Sequence, residues 1–198
     1  MKGGEFTLSK SQKKVVAILI VVVIILVIIF FAIGYLIEKS KIAKVSEIYS
    51  HDNVEERIET SDSLDDLLLQ MDGEKVIGVV KIDKIGFEGI IYEGTDLSTL
   101  DKGVGHFINS SYLNGNVALA AHNSNKFWAK LYTLEYGDKI TYISFLGTKV
   151  YEVSNIEQIS DTDWSKINQK MEENLITLIT CVKGKGSQRL MVQGIEVK

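Results

Sequence analysis

Three reactive residue types are scarce in this chain. It has a single cysteine, Cys181, three histidines, His51, His106 and His122, and two arginines, Arg57 and Arg189, against lysine at every other basic position. A cysteine thiolate is the strongest side-chain nucleophile near neutral pH. To attack a carbonyl it needs a partner that moves protons and a donor that meets the charge developing on oxygen. Cys181 closes the apolar run "ITLITC", and the following "VKGKG" is a flexible, basic exit that favours a thiolate electrostatically. A free cysteine is equally at home as a small buried hydrophobe, and that reading stays open on these residues alone. His122 ends "NVALAAH" and opens the polar "NSN". A strand end facing a loop holds a catalytic imidazole rigidly and within reach, or simply a histidine satisfied by local hydrogen bonds. His106, in "GVGHF", suits a structural place; His51 suits a solvated one, and Arg57, in the acidic "VEERIE", a surface one. Arg189 opens the last apolar run across a loop from Cys181, so thiol and guanidinium share one sheet end if those two strands are neighbours.

The elements that must hold these groups are mostly strands. From Gly73 onward, short β-branched runs alternate with glycine-rich turns: Val76–Ile82, Gly89–Tyr92, Val117–Ala121, a hairpin of Lys139–Ser144 with Thr148–Ile156, and a final pair, Leu175–Cys181 and Arg189–Val197. "GTDLSTLDKGVGHF" reads as a glycine-rich connection. Short helices are expected at Asn125–Leu131 and Asp163–Glu172. Many close-spaced strands with few helices predict a mainly β fold, a closed barrel or a sandwich.

The N-terminal part is different. Val15–Ile37 is a run of 23 residues without a charge. A helix crossing a bilayer needs about 20 such residues, so the run predicts an uncleaved membrane anchor rather than a signal peptide, whose apolar region is shorter. Four lysines precede it and three follow closely, a slight vote for a cytoplasmic N-terminus. Residues 38–72 read as a charged stalk. Ile42, Val45 and Tyr49 keep helical spacing there, and Leu64, Leu67, Leu68 and Met71 mark a second short helix. The expected organisation is therefore a cytoplasmic segment 1–14, an anchor 15–37, a stalk 38–72 and a catalytic domain 73–198. Beyond position 44 the chain holds 15 basic against 24 acidic residues, which excludes the basic footprint of a nucleic-acid binder. One cysteine excludes an internal disulfide and a cysteine-rich zinc site.

Taken together, "TLITC", the segment "LDKGVGHFINSSYLNGNVALAAHN" and the strand "SQRLMV" resemble the sortases, cysteine transpeptidases of Gram-positive cell surfaces, over most of Gly73–Lys198. The resemblance implies an eight-stranded β-barrel. It implies that Cys181 attacks a Thr–Gly or Thr–Ala bond of an LPxTG-like sorting signal to form a thioester, which an amine of the cell wall resolves. It places the catalytic histidine at His122, a structural one at His106, the essential arginine at Arg189 and substrate positioning at Thr180. It implies no cofactor and no metal. The partners it implies are sorting-signal-bearing surface proteins and a peptidoglycan-type amine acceptor, with the domain outside the membrane. The separation of 59 positions between His122 and Cys181 leaves little room for the large helical insertion of class B, and the N-terminal lid of class C is absent, so the resemblance leans to class D or a related single-anchor class. The chain has no proline, where the family usually places one in the first strand and one near the cysteine. A cysteine hydrolase on the same scaffold, or an anchored β-domain that binds a surface partner without catalysis, are the alternatives.

Overall fold

The computed structural model describes residues 9–50, 63, 67–71, 73–167 and 172–197, so His51 and Arg57 lie outside the described residues. The chain divides into two compact units, Met1–Lys41 and Ile42–Lys198.

Helix α1 runs over Lys10–Ser50. Its start is fixed by a reciprocal cap: Ser9 Oγ accepts from the Gln12 N–H at 3.3 Å, and Gln12 Oε1 accepts from the Ser9 N–H at 2.9 Å. Its apolar residues from Val15 to Ile37 are exposed on every face. At 1.5 Å per residue those residues extend about 35 Å, enough to cross a hydrocarbon core of about 30 Å. Among the described residues this is the one helix long and apolar enough to do so, and it fits a single-pass membrane anchor.

Within the second unit, Ile42, Val45 and Tyr49, which the sequence places on a helical stalk, are buried in the core. Tyr49 Oη donates to the Val76 carbonyl at 2.9 Å and accepts from the Leu69 N–H at 3.0 Å. That second bond belongs to a correction. The apolar spacing that predicts a helix through Met71 gives way to a strand, β1 (Leu69–Met71), antiparallel to the next strand across the turn at Gly73. Tertiary pairing overrides the local period; residues 64–66 lie outside the described residues.

Eight strands then close a barrel: β2 (Glu74–Ile82), β3 (Phe87–Glu93), β4 (Val104–His106), β5 (Asn116–Ala120), β6 (Lys139–Ser144), β7 (Gly147–Ser160), β8 (Leu175–Val182) and β9 (Lys185–Glu196). Their order is β2-β3-β4-β5-β8-β9-β7-β6, with β6 returning to β2; β3–β4 and β5–β8 are parallel, the other pairs antiparallel. Closure depends on Gly78. It pairs with Ile91 on one side and Ser144 on the other, beside a register shift, and a Cβ there would run into the Ile143 carbonyl. The interior is filled by Val79, Ile91, Leu119, Tyr142, Tyr151, Leu178 and their neighbours. Burial, with the nearby carboxylates of Glu93 and Glu196 adding to it, holds the Tyr142 and Tyr151 hydroxyls far above the ordinary tyrosine range.

Three sequence expectations are revised by the loops. The connection 94–106 contains a helix, α2 (Leu97–Lys102), and strand β4. Asp96 caps α2, accepting from the Thr99 N–H at 3.2 Å and the Ser98 hydroxyl at 2.6 Å; these bonds hold its carboxyl at a pKa of about 2. The helix expected at Asn125–Leu131 is a series of turns ending in a 3-10 turn at Leu131–Thr133. The Phe127 and Leu131 amides bond three residues back, to Ser124 and Trp128, while those of Trp128 and Ala129 reach back to His122 and Ser124, and Trp128 is fully buried in the core. Of the helix expected at Asp163–Glu172, residues 165–167 form a turn, with Asp163 accepting from the Ser165 amide and hydroxyl, and residues 168–171 lie outside the described residues.

Candidate active site

β8 is buried on both faces up to Thr180, and Cys181 is the first exposed residue at its end. This explains why "LITLITC" shows no alternation. Leu178 packs inside the barrel, whereas Ile179 faces outward in a second cluster with Ala118, Ile159, Ile167 and Met191. Cys181 follows Ile179 on that outward face.

Two neighbouring strands bring the partners. β5 runs parallel to β8 with Ala120 opposite Ile179, and the Ala121 N–H continues the pairing to the Ile179 carbonyl at 3.2 Å. Carried two residues further, that register sets His122 level with Cys181. On the other side β9 runs antiparallel, with Arg189 directly opposite Cys181 and Ile159 of β7 opposite Arg189. His122, Cys181 and Arg189 thus stand in one row across the sheet end. All three line one open groove of about 340 Å³, whose walls are Leu97 and Leu100 of α2 with Phe107, Trp164 and Ile179.

Each group is held by bonds local to it. Asn123 Nδ2 donates to the Cys181 carbonyl at 2.6 Å, tying the histidine loop to the cysteine strand. The His122 carbonyl accepts from the amides of Ser124 and Trp128, both at 3.0 Å. Thr180 is 3% exposed, and its hydroxyl donates to the Ala121 carbonyl at 2.7 Å. It lines the groove with that hydroxyl proton already committed. The loop expected between Cys181 and Arg189 is in fact a tight turn at Lys183–Gly184 followed by strand. A register shift after Cys181 leaves residues 186–188 of β9 bulged, without a partner on β8, while Gln188 stays paired with Ser160 of β7. Arg189 closes this bulge: Nη1 donates to the carbonyls of Gly186 at 2.8 Å and Gln188 at 3.0 Å. Nη2 lies 3.7 Å from Asp161 Oδ2, close enough for attraction but too far for a hydrogen bond.

His106 sits apart from this row and is fully buried. Its Nε2 meets the Ser111 carbonyl at 3.1 Å, its Nδ1 meets Glu93 Oε1 at 3.2 Å, and its ring stacks on Tyr112. Ser110 Oγ lies 3.0 Å from the same Nε2, so both ring nitrogens are engaged. His106 therefore organises the turn between β4 and β5.

Asp101, Asn123 and Asp161 were not singled out by sequence reasoning. Asp101 ends α2, 21 residues before His122, yet its Oδ1 lies 3.1 Å from His122 Nε2. No spacing rule relates a helix end to a strand end across a barrel. The Asn in "AHN" directly after the histidine was the one signal within view.

Comparison with known proteins agrees with this architecture. The sortase domain model matches residues 80–197, and the chain belongs to the sortase family. It is 32% identical over 126 residues to Sortase D of Bacillus subtilis (strain 168), a match covering 61% of this chain and 63% of that protein's length. Among solved structures it resembles a Clostridium perfringens Sortase D5 transpeptidase at 27% identity, covering 81% of this chain and 98% of that one with a TM-score of 0.65. It also resembles sortase C-1 from Actinomyces oris at 30% identity, covering 61% and 73%, with a TM-score of 0.57.

Proposed function

We propose that this chain is a membrane-anchored cysteine transpeptidase that cleaves an LPxTG-like C-terminal sorting signal and passes the surface protein to an amine of the cell wall. The observation that carries the reading is the row of His122, Cys181 and Arg189 opening on one groove.

The Cys181 thiolate attacks the carbonyl carbon of the threonine in the signal. A C–S bond forms as the C–N bond breaks, and His122 gives its proton to the departing amine. The thioester then meets the acceptor amine. The new C–N bond forms, the C–S bond breaks, and His122 takes the amine's proton, which restores the starting state. Arg189 spends both hydrogens of Nη1 on the bulge, so Nε or Nη2 meets the oxyanion or the substrate backbone. Thr180 acts indirectly, by tying β8 to the segment that carries His122. The apolar walls formed by Leu97, Leu100, Phe107 and Trp164 suit the aliphatic part of the signal. Such substrates lie outside the cell, which supports a cytoplasmic N-terminus, a span at residues 15–37 and an extracytoplasmic catalytic domain. The likeness to the Bacillus and Clostridium proteins supports class D.

The test is product analysis with the full-length protein in detergent and a sorting-signal peptide, with and without an amine acceptor. The expected result is a new amide in the presence of amine and slow hydrolysis without it. Hydrolysis at one rate in both, with no amide product, would make the chain a hydrolase. No cleavage of any sorting-type peptide would leave an anchored binding domain.

A further inference from the structure

The mechanism above uses one nitrogen of His122 and leaves the other, Nε2, facing Asp101 Oδ1 at 3.1 Å. The turn that presents Asp101 is tied down at several points. Asp96 caps the start of α2, Lys102 pairs with Glu74 of β2, and Lys126 Nζ donates to the Asp101 carbonyl at 3.4 Å. Gly105 completes the seating of α2 on β4: a Cβ there would come within 2.8 Å of Leu100 Cδ2. The carboxylate is thus presented to the ring by a fixed helix end.

We propose that Asp101 is a positioning residue for His122. Its oxygen keeps a hydrogen on Nε2, so Nδ1 is the nitrogen that exchanges a proton in the groove. Its charge stabilises the imidazolium that must exist while Cys181 is a thiolate. This rests on the role given to His122 in the proposed function. The other charged groups around the ring are Lys126, whose ammonium lies over Phe127, and Cys181, Arg189, Asp161 and Asp163, which line the same groove. Asp161 faces Arg189, and Asp163 is engaged by Ser165. Among the described residues Asp101 is the one carboxylate in contact with the imidazole.

Asp101 is 76% exposed and His122 33%, so the pair is a surface one and its electrostatic effect is modest. Salt must weaken it. Exposure also means that Asp101 variants fold. The experiment is an imidazole NMR titration of the full-length chain in detergent micelles in a Cys181→Ala background, which uncouples the thiol. Asp101→Asn keeps an acceptor and removes charge, Asp101→Glu restores charge, and Asp101→Ala removes both. Expected results are a lower His122 midpoint in Asn and Ala than with Asp101 in place, partly restored in Glu, and a difference that shrinks at about 1 M salt. The Nε2–H tautomer should persist in Asn and become mixed in Ala. With Cys181 present, the limb of the pH–rate profile that tracks His122 should move acid-ward, and kcat should fall about threefold to tenfold with KM unchanged. An unchanged midpoint and tautomer in every variant would overturn the proposal, as would a rise in kcat for Asp101→Ala, which would mean that the contact restrains the ring. The titration reads His122 whether or not peptide is turned over, so a wild type without transpeptidation sinks the proposed function while the titration still decides Asp101.

Discussion

Replacing Arg189 by lysine keeps the positive charge and removes the planar fork. In the structure that fork does two things at once. Nη1 holds the carbonyls of Gly186 and Gln188 and so shapes the bulge after Cys181, while Nε and Nη2 remain to serve the groove. A lysine ammonium is a single point on a flexible stem and cannot cap the bulge and reach a substrate oxygen together. Losing one preorganised oxyanion donor costs about a hundredfold to a thousandfold in turnover, or about 3–4 kcal/mol. The stability cost should be far smaller, about 1 kcal/mol or less, because the bulge is solvated and the Asp161 partner sits at 3.7 Å on a partly exposed pair. The assay is turnover of one fluorogenic sorting peptide with an amine acceptor by wild type, Arg189→Lys and Arg189→Ala, with a melting curve for each. Lysine within about threefold of wild type would refute the geometric role and leave only a charge effect on Cys181. A melting temperature that falls in step with activity would refute it differently, by making Arg189 a folding residue.

Cys181→Ala should abolish transpeptidation and shift stability by only about 1 kcal/mol, since the thiol is exposed; retained turnover would remove the nucleophile assignment. Thr180→Val should cost about 1–3 kcal/mol by leaving the Ala121 carbonyl without its donor, seen as a lowered melting temperature together with reduced activity. His106→Ala should destabilise by about 3 kcal/mol, because Glu93 loses its imidazole partner and a fully buried ring is removed; full stability would show that the pair is not structural. Asp96, held at about 2 against an ordinary 3.8, binds fewer protons folded than unfolded, so its stabilisation of α2 is complete above about pH 4 and lost as pH falls through 2. Amide exchange at Thr99 should accelerate over that window, and Asp96→Asn should flatten the dependence.

The strands that carry the chemistry were legible because their residues answer to two neighbours at once. "NVALA" and "LITLIT" are mostly apolar without alternation, since β5 and β8 are buried on both faces and their Asn116, Thr177 and Thr180 are hydrogen-bonded inside, and their ends are marked by the abrupt polar "HNSN" and "CVKGKG". Arg189 opposite Cys181 followed from reading the last two runs as neighbours. What stayed hidden was set by tertiary contacts. Leu69–Met71 has helical spacing and becomes a strand because β2 and Tyr49 offer it partners. The α2 helix is only six residues long and depends on Asp96 and on Gly105, whose missing side chain admits Leu100; in sequence it looks like part of a loop. Asp101 inherits that obscurity. The bulge after Cys181 resembles a flexible loop because glycines serve both.

The most direct measurement is intact-mass spectrometry of the full-length protein after brief exposure to an LPxTG-like peptide without amine. A gain equal to the peptide up to its threonine, located on Cys181, released by hydroxylamine and missing from Cys181→Ala, is the predicted result. A peptide that is cleaved with no such adduct, or an adduct on another residue, would contradict the mechanism.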